Sequence, residues 1–411
     1  MKREDITDWL IHFTKDISSK NQTEIYIKDE DEEGEAYILD YSNQIPNGYT
    51  SLTAFECLKN IVTECGIRYN YSLRNGKTTL FGGSPVICFT EMPLKSFIEY
   101  AKVRNPSSNS TYGIAIRKKE MYKYGARPVI YGLSNDQDFR YITKNNFNRT
   151  LDPSILSLNE QYRLVTFDLS DKNIDWSHER EWRLKKPEID SDYILAEHNS
   201  NHLEEVPALN VFSEESYCSE ILLIVNNQNE ADEIHDIVLA QLDSKGNEYG
   251  VSFDPKKISL LLLENISDTS PYPHRIEDLP PEAYYKVDFV ELTPQELNLL
   301  METIEEAKTT VTKNASIKFH KTTSLTRLTS GNYIDGCGNS SIHCSNPRNK
   351  YLRKMIELGK ARAYGDGYSL VFIGETDSIQ GVSYHEFVAK EVCDYVNGKL
   401  GTSFFVKTYF D

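Results

Sequence analysis

The chain of 411 residues carries 62 acidic against 45 basic residues, for a formal charge of -17 and a mean hydropathy of -0.51. It is long enough for two cores, and its overall charge opposes sequence-independent phosphate binding outside a local basic patch. A hydrophobic content of 39% excludes a disordered chain, no run nears the about 18 apolar residues of a membrane span, and the polar start MKREDITDW lacks a signal core, so the expectation is a soluble, cytoplasmic protein with no membrane partner.

Residues 1–14 read as a short lead-in to the first strand, and in DWLIHFTK (8–15) His12 interrupts an apolar run; alone, such a histidine is most simply a hydrogen-bonded core or turn residue. The acidic stretch IKDEDEEGEAYI reads as a solvated loop or hairpin tip. SLTAFECLKNIVTECGIRY predicts a helix, with Phe55, Leu58, Val62 and Cys65 at spacings of three and four and Gly66 as its stop. Short β-branched or aromatic segments then predict strands at 85–89, 111–117, 127–132, 162–169 and 179–185, and 219–265 reads as strand, helix, strand.

Prolines concentrate in SPYPHRIEDLPPEAY (270–284), the strongest linker signal. Beyond it, Thr293 and Pro294 cap a helix with Leu297, Leu300, Met301 and Ile304 on one face. A small α/β unit is expected next, with a helix around 347–359, a strand over 368–374, and a helix over about 383–399 on which Val388, Val392, Val396 and Leu400 recur every fourth residue. Seven cysteines without a CxxC pair predict reduced thiols. Cys337, His343 and Cys344 lack a fourth ligand at a familiar spacing, so no metal site is expected.

Three separated stretches read together: HFT (12–14), VICFTEMPL (86–94) and WSHEREWRL (176–184). On a strand, Glu179, Glu181 and Arg183 share one face. An exposed edge strand explains this simply; a polar cleft explains it too, with a glutamate stabilising positive charge at a neighbouring carbon.

The order of HFT, the helix ending at Gly66, VICF and EREW resembles that of the ADP-ribosyltransferase superfamily. HFT and its helix are most similar to DNA-modifying bacterial toxins of that superfamily, whereas ICFTEMPL, YGIAIRK, GARPVIY and EREWRL look more like abortive-infection phage-resistance families. The resemblance covers roughly residues 8–265. The mixture of strands and helices suggests α+β, and the resemblance implies an ADP-ribosyltransferase-like split, mixed or antiparallel sheet over 1–268; the residue pattern alone adds a proline-rich linker and connecting helix over 269–312 and a small C-terminal α/β domain over 313–411, read as sensing or target-recruiting. The resemblance implies NAD as substrate. His12 would bond the nicotinamide-side ribose, Thr14 would hold the adenosine half, and Phe89 would stack on nicotinamide, with Cys88 there instead in a shifted register. Glu181 would bond the ribose 2'-hydroxyl and stabilise the oxocarbenium-like transition state, Glu179 would orient the acceptor, and Arg68 and Lys95 would meet the pyrophosphate. The arginine that follows the second motif in the DNA-modifying toxins is absent from TEMPLKSF.

The leading expectation is therefore an NAD-dependent ADP-ribosyltransferase, or NAD glycohydrolase, acting as a toxin-like effector in phage defence on a macromolecular acceptor, protein or nucleic acid, and answering a phage-derived trigger. The alternative is a catalytically inert, transferase-like binding or sensor protein. A third reading makes the C-terminal unit a nuclease through His343, Arg348 and His385, which no acidic metal-binding pattern joins.

Overall fold

Two runs just past the middle of the chain are apolar at every position but Ser259, ILLIV at Ile221–Val225 and ISLLL at Ile258–Leu262, and both are buried throughout. Such runs belong in the middle of a sheet covered on both sides. The computed structural model describes residues 6–18, 51–74, 77–105, 111–132, 149–169, 174–187, 193–198, 202–213, 215–243, 255–266, 275–286, 291–365 and 367–410; the acidic stretch at 27–38 lies outside them. The chain divides into two units, 1–287 and 288–411.

The first unit is built on an eight-stranded mixed sheet. In chain order its strands are β1 (Trp9–Phe13), β2 (Val86–Thr90), β3 (Gly113–Arg117), β4 (Arg127–Pro128), β5 (Glu181–Lys185), β6 (Ile221–Val225), β7 (Ile258–Leu262) and β8 (Tyr284–Lys286), arranged β8-β7-β6-β3-β1-β2-β5-β4. Only β6 and β7 run parallel in this sheet, joined by the helix α4 (Gln228–Asp243); every other neighbour is antiparallel, and the helix α3 (Lys118–Tyr124) follows β3 directly. Alternation along β1 sends Leu10 into a core with Leu58, Ile61 and Val62 of the helix α1 (Ala54–Thr63) and Ile234 and Val238 of α4. Trp9 and Ile11 enter a second core on the other face, with Phe97 and Ile98 of the helix α2 (Leu94–Arg104). Each such side chain stabilises the fold by about 1.5–3 kcal/mol.

Several boundaries differ from the expectations. Helix α1 opens on a Thr53/Glu56 capping box and ends at Thr63; Cys65 takes the left-handed conformation at φ 61, not Gly66. Gly66 is small for another reason, since a Cβ there would stand 2.7 Å from Ile194 Cγ2. The segment expected as a strand over 127–132 splits, so that β4 joins the main sheet while Ile130–Tyr131 pairs with Leu164–Val165 in parallel. The strand expected over 179–185 starts at Glu181, because Ser177–Glu179 form a 3-10 turn closed by Arg180 at φ 44. The hairpin Tyr193–His198/His202–Leu209, which also pairs with Ile67–Arg68, went unpredicted.

The second unit has its own core. Helix α5 (Pro294–Glu306) runs through a π-helical turn at Ala307–Val311 into α6 (Thr312–Thr322), and α5 gives Leu300 and Ile304 to that core rather than serving as a connector. Four strands, β9 (Gly338–Cys344), β10 (Ala361–Tyr364), β11 (Gly367–Leu370) and β12 (Phe405–Phe410), form a sheet in the order β10-β11-β9-β12. Helix α7 (Lys350–Glu357) lies between β9 and β10 in the chain, and α8 (Val382–Leu400) buries Val388, Val392, Val396 and Leu400 as their spacing predicts. All strand pairs here are antiparallel, so this is a small α+β unit instead of the expected α/β one. Among the described residues no helix is long and apolar enough to cross a membrane.

Candidate functional site

The strands carrying the three sequence motifs are neighbours, in the order β1-β2-β5. Beside β3, β1 is registered along all five of its residues, but beside β2 it shares the single pair Ile11 and Thr90 and then parts from it. His12 stands at the parting. Its Nδ1 lies 2.9 Å from the Cys88 carbonyl. A carbonyl only accepts, so Nδ1 holds the proton, and in the neutral ring Nε2 is left as an acceptor. Burial lowers the imidazole pKa more than the Cys88 bond raises it, and the Lys15 ammonium lowers it further. Two residues on, Thr14 is 4% exposed, and its hydroxyl is buried without a hydrogen-bond partner among the described residues.

The glutamates are positioned from β2 and α2. Thr90 donates its hydroxyl to the Glu179 carbonyl, and the Glu91 N–H bonds the Arg180 carbonyl at 3.1 Å, which clamps the turn before β5 against the end of β2. Arg180 holds a left-handed φ that costs a non-glycine residue about 1 kcal/mol or more, so this clamp has to be maintained by its surroundings. Tyr100 of α2 hydrogen-bonds the Glu179 carboxylate, and burial first, then this bond, raises the phenol pKa. Glu181 is gripped by Arg183 in a fork, with Nε to Oε1 at 2.7 Å and Nη2 to Oε2 at 3.2 Å, while Arg183 Nη1 bonds the Tyr162 and Leu164 carbonyls. The Tyr131 hydroxyl accepts from the Glu181 N–H at 3.0 Å. Burial pushes the Cys88 thiol pKa up, and the Glu181 charge pushes it further. Loss of hydration, then the Arg104 guanidinium, lowers that of Lys15, which also feels Glu179.

The predicted residues are thus brought together unevenly. His12, Thr14, Glu179 and Glu181 stand at or beside neighbouring strands, but alternation puts the His12 ring on the face of Phe89, opposite the face that Glu181 shares with Thr90 and Ile11, so the structure does not bring His12 and Glu181 together on one face. Pairing Glu181 with Thr90 and Trp182 with Phe89 puts Glu181 on the face of Thr90 and Phe89 on the other. Phe89 is 2% exposed, lies in the core, and meets the His12 ring edge-on at 5.9 Å, so it offers no open face for stacking as placed. Cys88, the shifted-register candidate, shares the face of Arg183. Arg68 is buried in a forked ion pair with Glu64. Lys95 sits in the first turn of α2. Tyr100, Tyr131, Arg183 and Lys15 were not anticipated. Only Arg183 carried a signal, its position two residues after Glu181.

Cavities are formed elsewhere among the described residues, two of them well defined in their lining. One, of about 700 Å³, is lined by Asp8, Arg117, Lys118, Lys119, Glu120 and Trp182 on the first unit. The other, of about 850 Å³, lies on the second unit around the π-helical turn, where His320 Nε2 meets Asp377 at 2.9 Å. Neither is lined by His12 or Glu181. Among the described residues no three His, Cys, Asp or Glu side chains gather as metal ligands would. Set against protein families, characterised proteins and solved structures, the chain matches none.

Proposed function

We propose that the first unit cleaves NAD at the nicotinamide–ribose bond and passes ADP-ribose to a macromolecule or to water, as a toxin-like effector in phage defence. The observation that carries this reading is the adjacency of β1, β2 and β5, which makes neighbours of the three stretches that bear His12, Glu179 and Glu181. In this reading Glu181, oriented by Arg183, accepts the ribose 2'-hydroxyl and stabilises the oxocarbenium centre as the bond breaks and nicotinamide leaves with the electron pair. The acceptor then adds at the same carbon, oriented by the Glu179 carboxylate, which takes up the proton that the acceptor loses. His12 Nε2 and the unpartnered Thr14 hydroxyl have hydrogen-bonding capacity for the two ribose-bearing halves of the substrate. Arg68 is committed to Glu64, so Lys95 and Lys15 remain as pyrophosphate partners.

A second reading, a binding protein without turnover, draws on two features: the buried Phe89 and the fork that occupies both Glu181 oxygens. The experiment that separates them is nicotinamide release from NAD by the purified chain. Turnover falling about 100-fold or more in Glu181→Gln supports the first reading. Because that change strips Arg183 of its counter-charge, Glu181→Asp and near-ultraviolet circular dichroism check that the loss is not unfolding. Release unchanged in both variants removes the mechanism, and no release from the wild type leaves the binding reading.

A further inference from the structure

The sheet of the second unit has one face covered and one open. Ile342, Cys344, Tyr368, Leu370 and Ala361 point into the core beneath α8. By alternation the other face carries Ser341 and His343 of β9, Arg362 and Tyr364 of β10, Ser369 of β11, and Phe405, Lys407 and Tyr409 of β12. Tyr364 and Phe405 are 45% and 44% exposed, and Arg362 is exposed. They rest on a buried His343, 2% exposed, whose ring lies 6.0 Å from each of theirs and 6.1 Å from Tyr409. His343 Nε2 is tied to the Ser341 hydroxyl at 2.8 Å and the Tyr409 hydroxyl at 3.1 Å, which fixes the ring under the surface aromatics.

The charge of this surface departs from that of the chain. None of the four strands contains an acidic residue. Residues 288–411 as a whole hold 14 basic and 15 acidic residues, against 31 and 47 in 1–287, so the two units carry -1 and -16. The repulsion that the overall composition implies for a polyanion therefore belongs to the first unit.

We propose that this face binds single-stranded nucleic acid. Two accessible rings on a pinned third supply flat apolar surfaces for unstacked bases, Arg362 and Lys407 supply phosphate partners, and Ser341 and Ser369 supply hydroxyls between them. The face spans four strands at about 4.8 Å spacing, about 14 Å across, which suits two or three stacked nucleotides and not the regular grooves of a duplex. The assignment is independent of the NAD chemistry in the first unit.

The test is fluorescence anisotropy of the full chain with labelled RNA of about 12 nucleotides, DNA of the same sequence, and the duplex of each. Saturable binding of a single strand is expected, at least tenfold tighter than the duplex and weakening between about 50 and 200 mM salt. Preference for the RNA or the DNA strand then identifies which polymer is taken. Tyr364→Ala and Phe405→Ala should each weaken binding about tenfold. Arg362→Glu should weaken it and flatten its salt dependence, with the thermal midpoint held in this exposed variant. Absence of single-strand binding, equal affinity for the duplex, or wild-type affinity in both aromatic variants overturns the proposal.

Discussion

His12 and Phe89 show how pairing register and the depth of the pleat decide what a motif can do. The imidazole is held through Nδ1 and kept neutral mainly by burial, so its folded pKa lies below the unfolded value of about 6.5. As the pH falls through that value the unfolded chain takes up a proton that the folded chain refuses. The stability His12 contributes is thus full above about pH 6.5 and lost progressively below it. Glutamine at this position retains a donor for the Cys88 carbonyl without titrating. Urea unfolding over a pH series should show the wild type losing ground to His12→Gln as the solution is acidified from about pH 6.5, with the difference constant above pH 7; parallel profiles would contradict this account. The type and order of His12, Thr14 and Glu181 were legible in the sequence. The pleat was not, because a one-residue shift exchanges Cys88 and Phe89 between faces and both are compatible with an apolar strand. Tyr100 gave no signal, since its role comes from α2 packing beside the Glu179 turn.

At the level of elements, helices were read best where caps and spacing agreed, as at Thr293 and Pro294 before α5 and along the valines of α8. Strands were read worst where backbone conformation overrode residue type. Arg180 in the left-handed region delays the strand expected from 179 until Glu181, and no residue preference announces it. The π-helical turn between α5 and α6 was equally silent. There the Thr312 hydroxyl donates to the Ala307 carbonyl five residues back, at 2.7 Å, and accepts the Gly374 N–H at 3.1 Å. Gly374 approaches so closely that a Cβ would stand 1.9 Å from the Lys308 carbonyl oxygen. Gly374→Ala should therefore destabilise the second unit by about 3 kcal/mol in chemical unfolding. Gly398, inside α8 with open space around its Cβ position, should instead gain about 1 kcal/mol on change to alanine. Equal effects at the two sites would mean that the close backbone approach is absent in solution.

For the whole molecule, the α+β class was readable from the mixture of strand and helix patterns and the presence of two units from length and the proline-rich stretch, while the border at 287 was not, because α5 looks the same in sequence whether it bridges or packs. The hairpin at 193–209 escaped because its glutamates and histidines interrupt the alternation that marks a half-buried strand. With its own core, residues 288–411 should fold alone and unfold cooperatively by circular dichroism. At -1 against -16 they should also leave an anion-exchange column well before 1–287. A fragment that melts without a transition would show that the second core depends on the first unit. The single registered pair between β1 and β2 has a mechanical meaning as well. Five strands on one side and three on the other make two plates, stitched at Ile11 and Thr90 and buttoned by one imidazole. Across that seam the sheet is held by one registered pair and one side-chain bond, so a substitution at His12 reaches the continuity of the sheet itself and not the candidate site alone.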